Sequence, residues 1–139
     1  MPGMTAEEAK KRLGLLPNGQ LSPCPDMPNC ICSQYANDPD HYAEPMRFKG
    51  SVAEAKNKLK KLLLAMPRVT LADESERYLR FEFTSLIFRF IDDVEFVLDE
   101  KAGTIQFRSA SRVGYSDLGA NSSRIKEIRA SWEKIARGV

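Results

Sequence analysis

The feature that most constrains this chain is an alternation of apolar and polar residues that runs through three consecutive stretches. In Tyr78–Thr84, Leu79, Phe81 and Phe83 share one face, while Tyr78, Arg80 and Glu82 share the other. A period of two is the mark of a half-buried strand. Phe88–Asp99 repeats it, with Phe88, Phe90, Asp92, Val94, Phe96 and Leu98 at the even positions. Residues 104–112 repeat it again across the turn Glu100–Gly103. There Ile105 and Phe107 face inward with Ser109 and Ser111 behind them, and Arg108 and Arg112 share the outer face.

The turn then sets the register. Pairing Asp99 with Thr104 places Phe96 opposite Phe107, Glu95 opposite Arg108 and Asp92 opposite Ser111. Apolar meets apolar and opposite charges meet across the strands, pairs worth ~0.2–1 kcal/mol each. A slip by one residue turns Phe107 outward and is discounted. A slip by two sets Asp93 opposite Arg108 and stays open. The same parity puts Asp92 on the apolar face and Asp93 and Glu95 on the other. An inward carboxylate needs a partner, which Ser109, Ser111 or an arginine reaching over supplies. The alternative is a bulge at Asp92–Asp93 that turns both to solvent.

The remaining elements follow from local signals. Thr5 and Glu8 have capping-box spacing, which predicts a short, loosely docked helix over residues 5–13. Residues 17–45 hold six prolines and read as an irregular segment that wraps the domain. Residues 46–49 are a candidate first strand. Ser51 and Glu54 open a helix over 51–66, with Val52, Ala55, Leu59, Leu62, Leu63 and Met66 at helical spacing, and its lysine-rich opposite face reads as solvated. Arg68–Leu71 is a strand. From about Ser122 to Ala136, Ile125, Ile128, Trp132 and Ile135 form a second helical stripe. The expected architecture is α+β. An antiparallel sheet of about five strands carries two main helices on one face and is preceded by the irregular Pro-rich segment. Residues 1–139 are expected to form one domain, with 1–16 as the loosely docked N-terminal helix.

Composition narrows the function. Twenty-one basic and nineteen acidic residues give a net charge of +2 and no basic block, which argues against nucleic-acid binding. No apolar run approaches the ~20 residues of a membrane span. The N-terminus lacks a secretory apolar centre, so the chain as given reads as cytoplasmic unless a targeting segment has been removed.

Unusual chemistry concentrates in Thr104–Arg124. Arg108, Ser109, Ser111, Arg112, Tyr115, Asp117, Asn121 and Arg124, with Asp92 and Asp93, are the candidate ligand-binding residues, and the expected ligand is a small anion. A helix start offers free N–H groups, and the planar guanidinium fork suits anions. The competing reading is a structural network: Asp117 and Asn121 cap the helix and the arginines pair with Asp92, Asp93 and Glu95. An enzyme using Asp92 or Asp93 as base, with Arg108 and Arg112 stabilising an oxyanion, is the alternative function. Cys24, Cys30, Cys32 and His41 have a C-x5-C-x-C-x8-H spacing that is not a common zinc pattern, so no metal or cofactor is expected. Cys24–Cys30 is a candidate disulfide in an oxidising compartment, and all three cysteines are thiols in a reducing one.

The segments LSPCPDMPNCICSQ (21–34), FRFIDDVEF (88–96) and IQFRSASRVGYSDLGANSSR (105–124) together resemble the DUF1499 family, over about residues 21–137. The pattern matches at Cys24, Pro25, Pro28, Asn29, Cys30 and Ser33, then at Asp92, Asp93 and Glu95. It matches again at Arg108, Ser109, Ser111, Arg112, Gly114, Tyr115, Asp117, Gly119, Asn121 and Arg124. It departs at Cys32, where the family usually has serine, and at Ser122–Ser123, where basic residues are commoner. The resemblance implies no established activity, cofactor or catalytic residue, and it implies a periplasmic or plastid setting if a targeting segment has been removed. The expectation carried forward is a non-catalytic module that binds a small anion or a protein partner, with Cys24–Pro25 and Pro28–Cys30 lying near residues 108–121.

Overall fold

A computed structural model describes residues 5–114 and 116–136. In chain order the elements are α1 (Ala6–Lys10), β1 (Cys30–Cys32), β2 (Met46–Arg47), α2 (Val52–Leu64) and β3 (Val69–Glu74). They continue with β4 (Tyr78–Thr84), β5 (Ile91–Asp99), β6 (Thr104–Ser111) and α3 (Ala120–Ala136). The fold is α+β. The sheet is antiparallel, in the order β1-β6-β5-β4-β3, with β2 pairing beside β1 on the free edge of β6.

The hairpin register is the one that charge and parity predict: Asp99 pairs Thr104, Phe96 pairs Phe107, Glu95 pairs Arg108 and Asp92 pairs Ser111. Pairing runs unbroken through Asp92 and Asp93 on both sides, so the bulge alternative is excluded. The irregularity in the sheet lies instead in β3, between Leu71 and Asp73.

One face of the sheet carries Leu79, Phe81, Phe83, Val94, Phe96, Leu98, Ile105 and Phe107, all buried. Ala55, Leu59 and Leu63 of α2 and Ile125, Ile128 and Trp132 of α3 close over it. Ser51 caps α2 by accepting from the Glu54 N–H at 3.1 Å, as the capping box requires. The β5–β6 turn is held by Gly103, whose φ is +65° and whose position would set a Cβ 3.2 Å from the Phe48 carbonyl oxygen. Glycine meets both demands at once.

The second face departs from expectation. Parity made it the outer, solvated face, yet Glu95 is fully buried, and Asp93 and Arg108 are nearly so. The N-terminal residues lie over it. Gly14 donates its N–H to Glu95 Oε2 at 2.8 Å, and Leu21, Cys32, Tyr78 and Val97 form a small second core. The irregular segment is therefore a cover for the polar face. It also contains a strand that no sequence signal marked: β1 adds to β6 with Cys30 opposite Ala110 and Cys32 opposite Arg108.

Other boundaries shift. β2 is confined to Met46–Arg47, the first helix to Ala6–Lys10, α2 ends at Leu64, and α3 begins two residues early at Ala120. β3 runs on to Glu74 instead of stopping at Leu71, and β5 starts at Ile91 instead of Phe88. Phe88 and Phe90, expected inward, are mostly exposed. The alternation there continues past the end of the ladder into a turn, where parity no longer reports a buried face.

Because the cover belongs to the core, Leu21→Ala should destabilise the protein by ~2–4 kcal/mol, as at any buried leucine. Urea unfolding measures this, and a change within ~0.5 kcal/mol would mean that the segment merely lies on the surface.

Candidate functional site

The signature residues come together where β5 and β6 meet the start of α3. Cross-strand pairing brings Asp92 beside Ser111 and Asp93 beside Ala110, so Arg112 emerges one residue past the ladder, next to Asp93. Its Nε donates to Asp93 Oδ2 at 3.0 Å and its Nη2 to Asp93 Oδ1 at 2.6 Å, a two-pronged pair. The same Nη2 reaches Glu82 at 2.8 Å, and Arg80 donates to Asp93 at 3.1 Å. Asp93 is only 2% exposed. Arg112 holds the Glu82 carboxyl below its usual range, and the two carboxylates in turn push the guanidinium of Arg112 up, Asp93 foremost.

Arg124 comes from the first turns of α3 and makes a 2.8 Å ion pair with Asp92. It also covers the Phe83 ring, with its guanidinium carbon 4.7 Å from the ring centre. This answers the question posed by an inward Asp92: the partner is an arginine from the covering helix. Asp117 caps α3, as the structural-network reading has it. Its carboxylate accepts from the Gly119 N–H at 2.7 Å and the Asn121 N–H at 3.0 Å.

Asn121 is the hub between loop, helix and strand. Its carbonyl oxygen accepts from Ser109 at 2.6 Å and Arg124 at 2.8 Å. Its amide nitrogen faces the Asn29 carbonyl at 3.1 Å, Ser111 at 3.1 Å and Asp117 at 2.6 Å. Asn29 adds a second tie through the Ser111 N–H, which donates to its carbonyl at 3.0 Å. The Pro-fixed segment and the 108–121 stretch thus meet directly. Tyr115 lies outside the described residues.

Arg108 pairs with Glu95 at 3.5 Å in the buried face. Burial pushes the Glu95 carboxyl up, against the opposing pull of Tyr78, Arg108 and the Gly14 N–H. Burial also drives the Tyr78 hydroxyl far up, so it stays neutral and donates to Glu95. Tyr78, Arg80, Glu82 and the Gly14 N–H were missed as members of this network. For the first three, parity was a usable signal, since they share one face of β4, beside Asp93 and Glu95.

Space is scarce at the signature. The cavity bordered by Asn29, Asp93, Arg108 and Ser111 is about 10 Å³. That admits a water at most. A wider depression of about 390 Å³ is lined by Lys10, Asp73, Arg80, Glu82 and Arg112. Both arginines there already pair with Glu82 and Asp93.

The cysteine cluster also has its partners. Cys24 and Cys30 form a disulfide, and Cys32 is a buried thiol. Burial pushes its pKa up, which leaves it protonated and unreactive. His41 sits between the Asp38 carboxylate and the Met27 carbonyl, 2.8 Å from each. Among the described residues, no group of His, Cys, Asp or Glu is arranged to hold a metal ion. Among them, too, no helix is long and apolar enough to cross a membrane.

Residues 20–131 match the model of a family described as "Protein of unknown function (DUF1499)". No curated protein and no solved structure matches the chain.

Asn121→Ala should lower stability by ~2 kcal/mol or more, since it strands several buried donors and acceptors at once. Equilibrium unfolding would show this, and a neutral result would contradict the hub role. His41 supplies a pH test. Burial lowers its pKa, but Asp38 and the Met27 carbonyl outweigh burial and leave it raised above 6.5. The stabilisation is therefore complete below that unfolded value and is lost as pH rises through the folded one. Amide exchange at Met27 and Asn29 should quicken across that window, and His41→Gln should remove the pH dependence. The effect should be modest, because the Asp38 side chain is 37% exposed.

Proposed function

This chain belongs to the DUF1499 family, and we propose that it is a non-catalytic interaction module that docks on an anionic bilayer surface. In this reading the signature residues are a scaffold. They hold two loops side by side at one end of the sheet, and the docking surface is what those loops display.

The observation that carries the proposal is a cluster of exposed apolar side chains. The β4–β5 turn shows Leu86, Ile87, Phe88 and Phe90 to solvent, with Ile87 78% and Phe88 74% exposed. The loop from β6 to α3 adds Val113 and Leu118, the latter 98% exposed. The two loops are neighbours: the Arg112 N–H donates to the Ile91 carbonyl at 3.0 Å, and Thr84 pairs with Ile91 at the base of the turn. An apolar cluster of this kind marks an interaction site more often than chance exposure.

The turn is built to project. Phe88 and Phe90 stack at 5.6 Å, and the Phe90 N–H donates to Ser85 Oγ at 2.8 Å. Arg89 adopts a left-handed φ of 59° between the two phenylalanines. Arg68 donates from Nε to the Thr84 carbonyl at 3.0 Å, which sets a second cation at the base of the turn. No acidic residue lies between Thr84 and Ile91. The nearby Asp92 and Glu82 are paired with arginines. Projecting aliphatic and aromatic side chains flanked by arginines fit the boundary between lipid headgroups and acyl chains. Such a convex knob enters a lipid surface directly, whereas a protein partner must offer a matching recess.

The anion-binding and acid–base readings draw less support. Arg108, Arg112 and Arg124 each have a carboxylate partner. Asp93 is held by two arginines with about 10 Å³ beside it, too little for a substrate.

Co-flotation with vesicles tests the proposal. The protein should float with phosphatidylcholine–phosphatidylglycerol vesicles, bind phosphatidylcholine alone weakly, and lose flotation as Ile87→Ser/Phe88→Ser. Unchanged flotation of that variant, or no flotation of the wild type, would overturn it. So would light scattering that shows a dimer abolished by the same substitutions, because the surface would then join two copies of the chain.

A further inference from the structure

At the opposite end of the sheet, α2, α3 and the β5–β6 turn leave a cavity of about 430 Å³. β5, nine residues long, separates it from the apolar turn by roughly 30 Å at the rise of an extended strand. Phe48, Ala55, Trp132 and Ile135 line it with carbon. The Trp132 indole N–H donates to the Arg47 carbonyl at 2.8 Å, so the ring is fixed as a wall and its one polar atom is satisfied. The rim is cationic: Lys49 and Lys58 stand at the mouth with Arg47, against the single carboxylate of Glu54. All three cations are exposed, and among the described residues none of them is in an ion pair. The contrast with the signature arginines is direct. Those are buried and paired, whereas these surround an apolar space of the size that small ligands occupy.

We propose that this cavity binds an amphipathic anion, with an aliphatic or aromatic body against Phe48, Trp132 and Ile135 and a carboxylate or phosphate head at Lys49 and Lys58. The apolar floor accounts for the body and the excess of positive charge at the rim accounts for the head. A neutral or cationic amphiphile would bury the same carbon without the second contribution. The site is independent of the bilayer-docking end and stands whether or not that end binds lipid.

Decanoate and decyl phosphate, titrated below micelle formation, are the probes, with decanol and decyltrimethylammonium as controls. The readout is the protein's amide and indole NMR spectrum. The two anions should produce saturable shifts at Phe48, Ala55, Gly103 and the Trp132 indole, and their relative affinity tells a carboxylate site from a phosphate site. Decanol should bind roughly tenfold more weakly, the size of effect expected when one or two charge contacts are lost. Lys49→Glu/Lys58→Glu should weaken the anions by a similar factor, and Ala102→Trp, at the exposed mouth, should block them. If a variant fails to fold, the four-ligand series on the wild type decides alone. Equal binding of all four amphiphiles, shifts confined to Leu86–Phe90, or no saturable shift would overturn the proposal. So would binding that emerges only after removal of residues 137–139, because the chain's own end would then be the occupant.

Discussion

The structure depends on burying a charged sheet face. Asp93 and Glu95 point from β5 to the side away from the helices, where a two-layer fold would leave them in water. Here the N-terminal segment closes over them, and carboxylates removed from water must be paired and hydrogen-bonded or the fold loses several kcal/mol. Each neighbouring strand supplies part of the answer. β6 contributes Arg108, and Arg112 just past its end, while β4 contributes Tyr78, Arg80 and Glu82. The cover supplies the Gly14 N–H. These groups meet only in the observed register, so the charge network and the hairpin alignment specify one another.

The same constraint explains why the signature has the look of a site. Arginines, carboxylates, serines and an asparagine gathered at a helix start are the parts of an anion-binding pocket or a catalytic centre. In this fold most of their hydrogen-bonding capacity is taken up internally, although Arg108 Nε and Glu95 Oε1 are buried without a hydrogen-bond partner among the described residues. Asp117 serves the helix N-terminus, Arg124 serves Asp92, and Asn121 joins β6 to the Asn29 loop. What the network holds in place lies at its margin: the two loops that carry Leu86, Ile87, Phe88 and Leu118. Arg47, Lys49 and Lys58, exposed and outside any ion pair among the described residues, stand elsewhere, around the cavity between α2 and α3.

Much of this was legible in the residues. Two-residue periodicity and the four-residue turn favoured the pairs observed from Asp92–Ser111 to Asp99–Thr104, because that alignment keeps Phe107 inward and sets Glu95 against Arg108, while the two-residue slip and the bulge at Asp92–Asp93 were settled only by the structure. The α2 cap was readable from Ser51 and Glu54. Parity failed where it was carried beyond the ladder, at Phe88 and Phe90, since alternation alone does not say where pairing stops. It also could not show that the second face was covered. That depends on where the proline-rich segment runs, and neither β1 nor the Gly14 contact has a local signature. That an arginine could reach over to Asp92 was readable, but that the arginine is Arg124, from the covering helix, is a fact of tertiary geometry and not of spacing.

A double-mutant cycle on Asp93 and Arg112 tests the scaffold claim most directly. Arg112→Met alone leaves a buried carboxylate short of its main partner and should lower unfolding free energy by about 3 kcal/mol or more, and Asp93→Leu alone should also be strongly destabilising. The double variant replaces the pair with carbon of similar volume and should lose far less than the sum of the two. Wild-type stability for Arg112→Met, with losses that simply add in the double variant, would contradict the account and return Arg112 to the role of a ligand-binding cation.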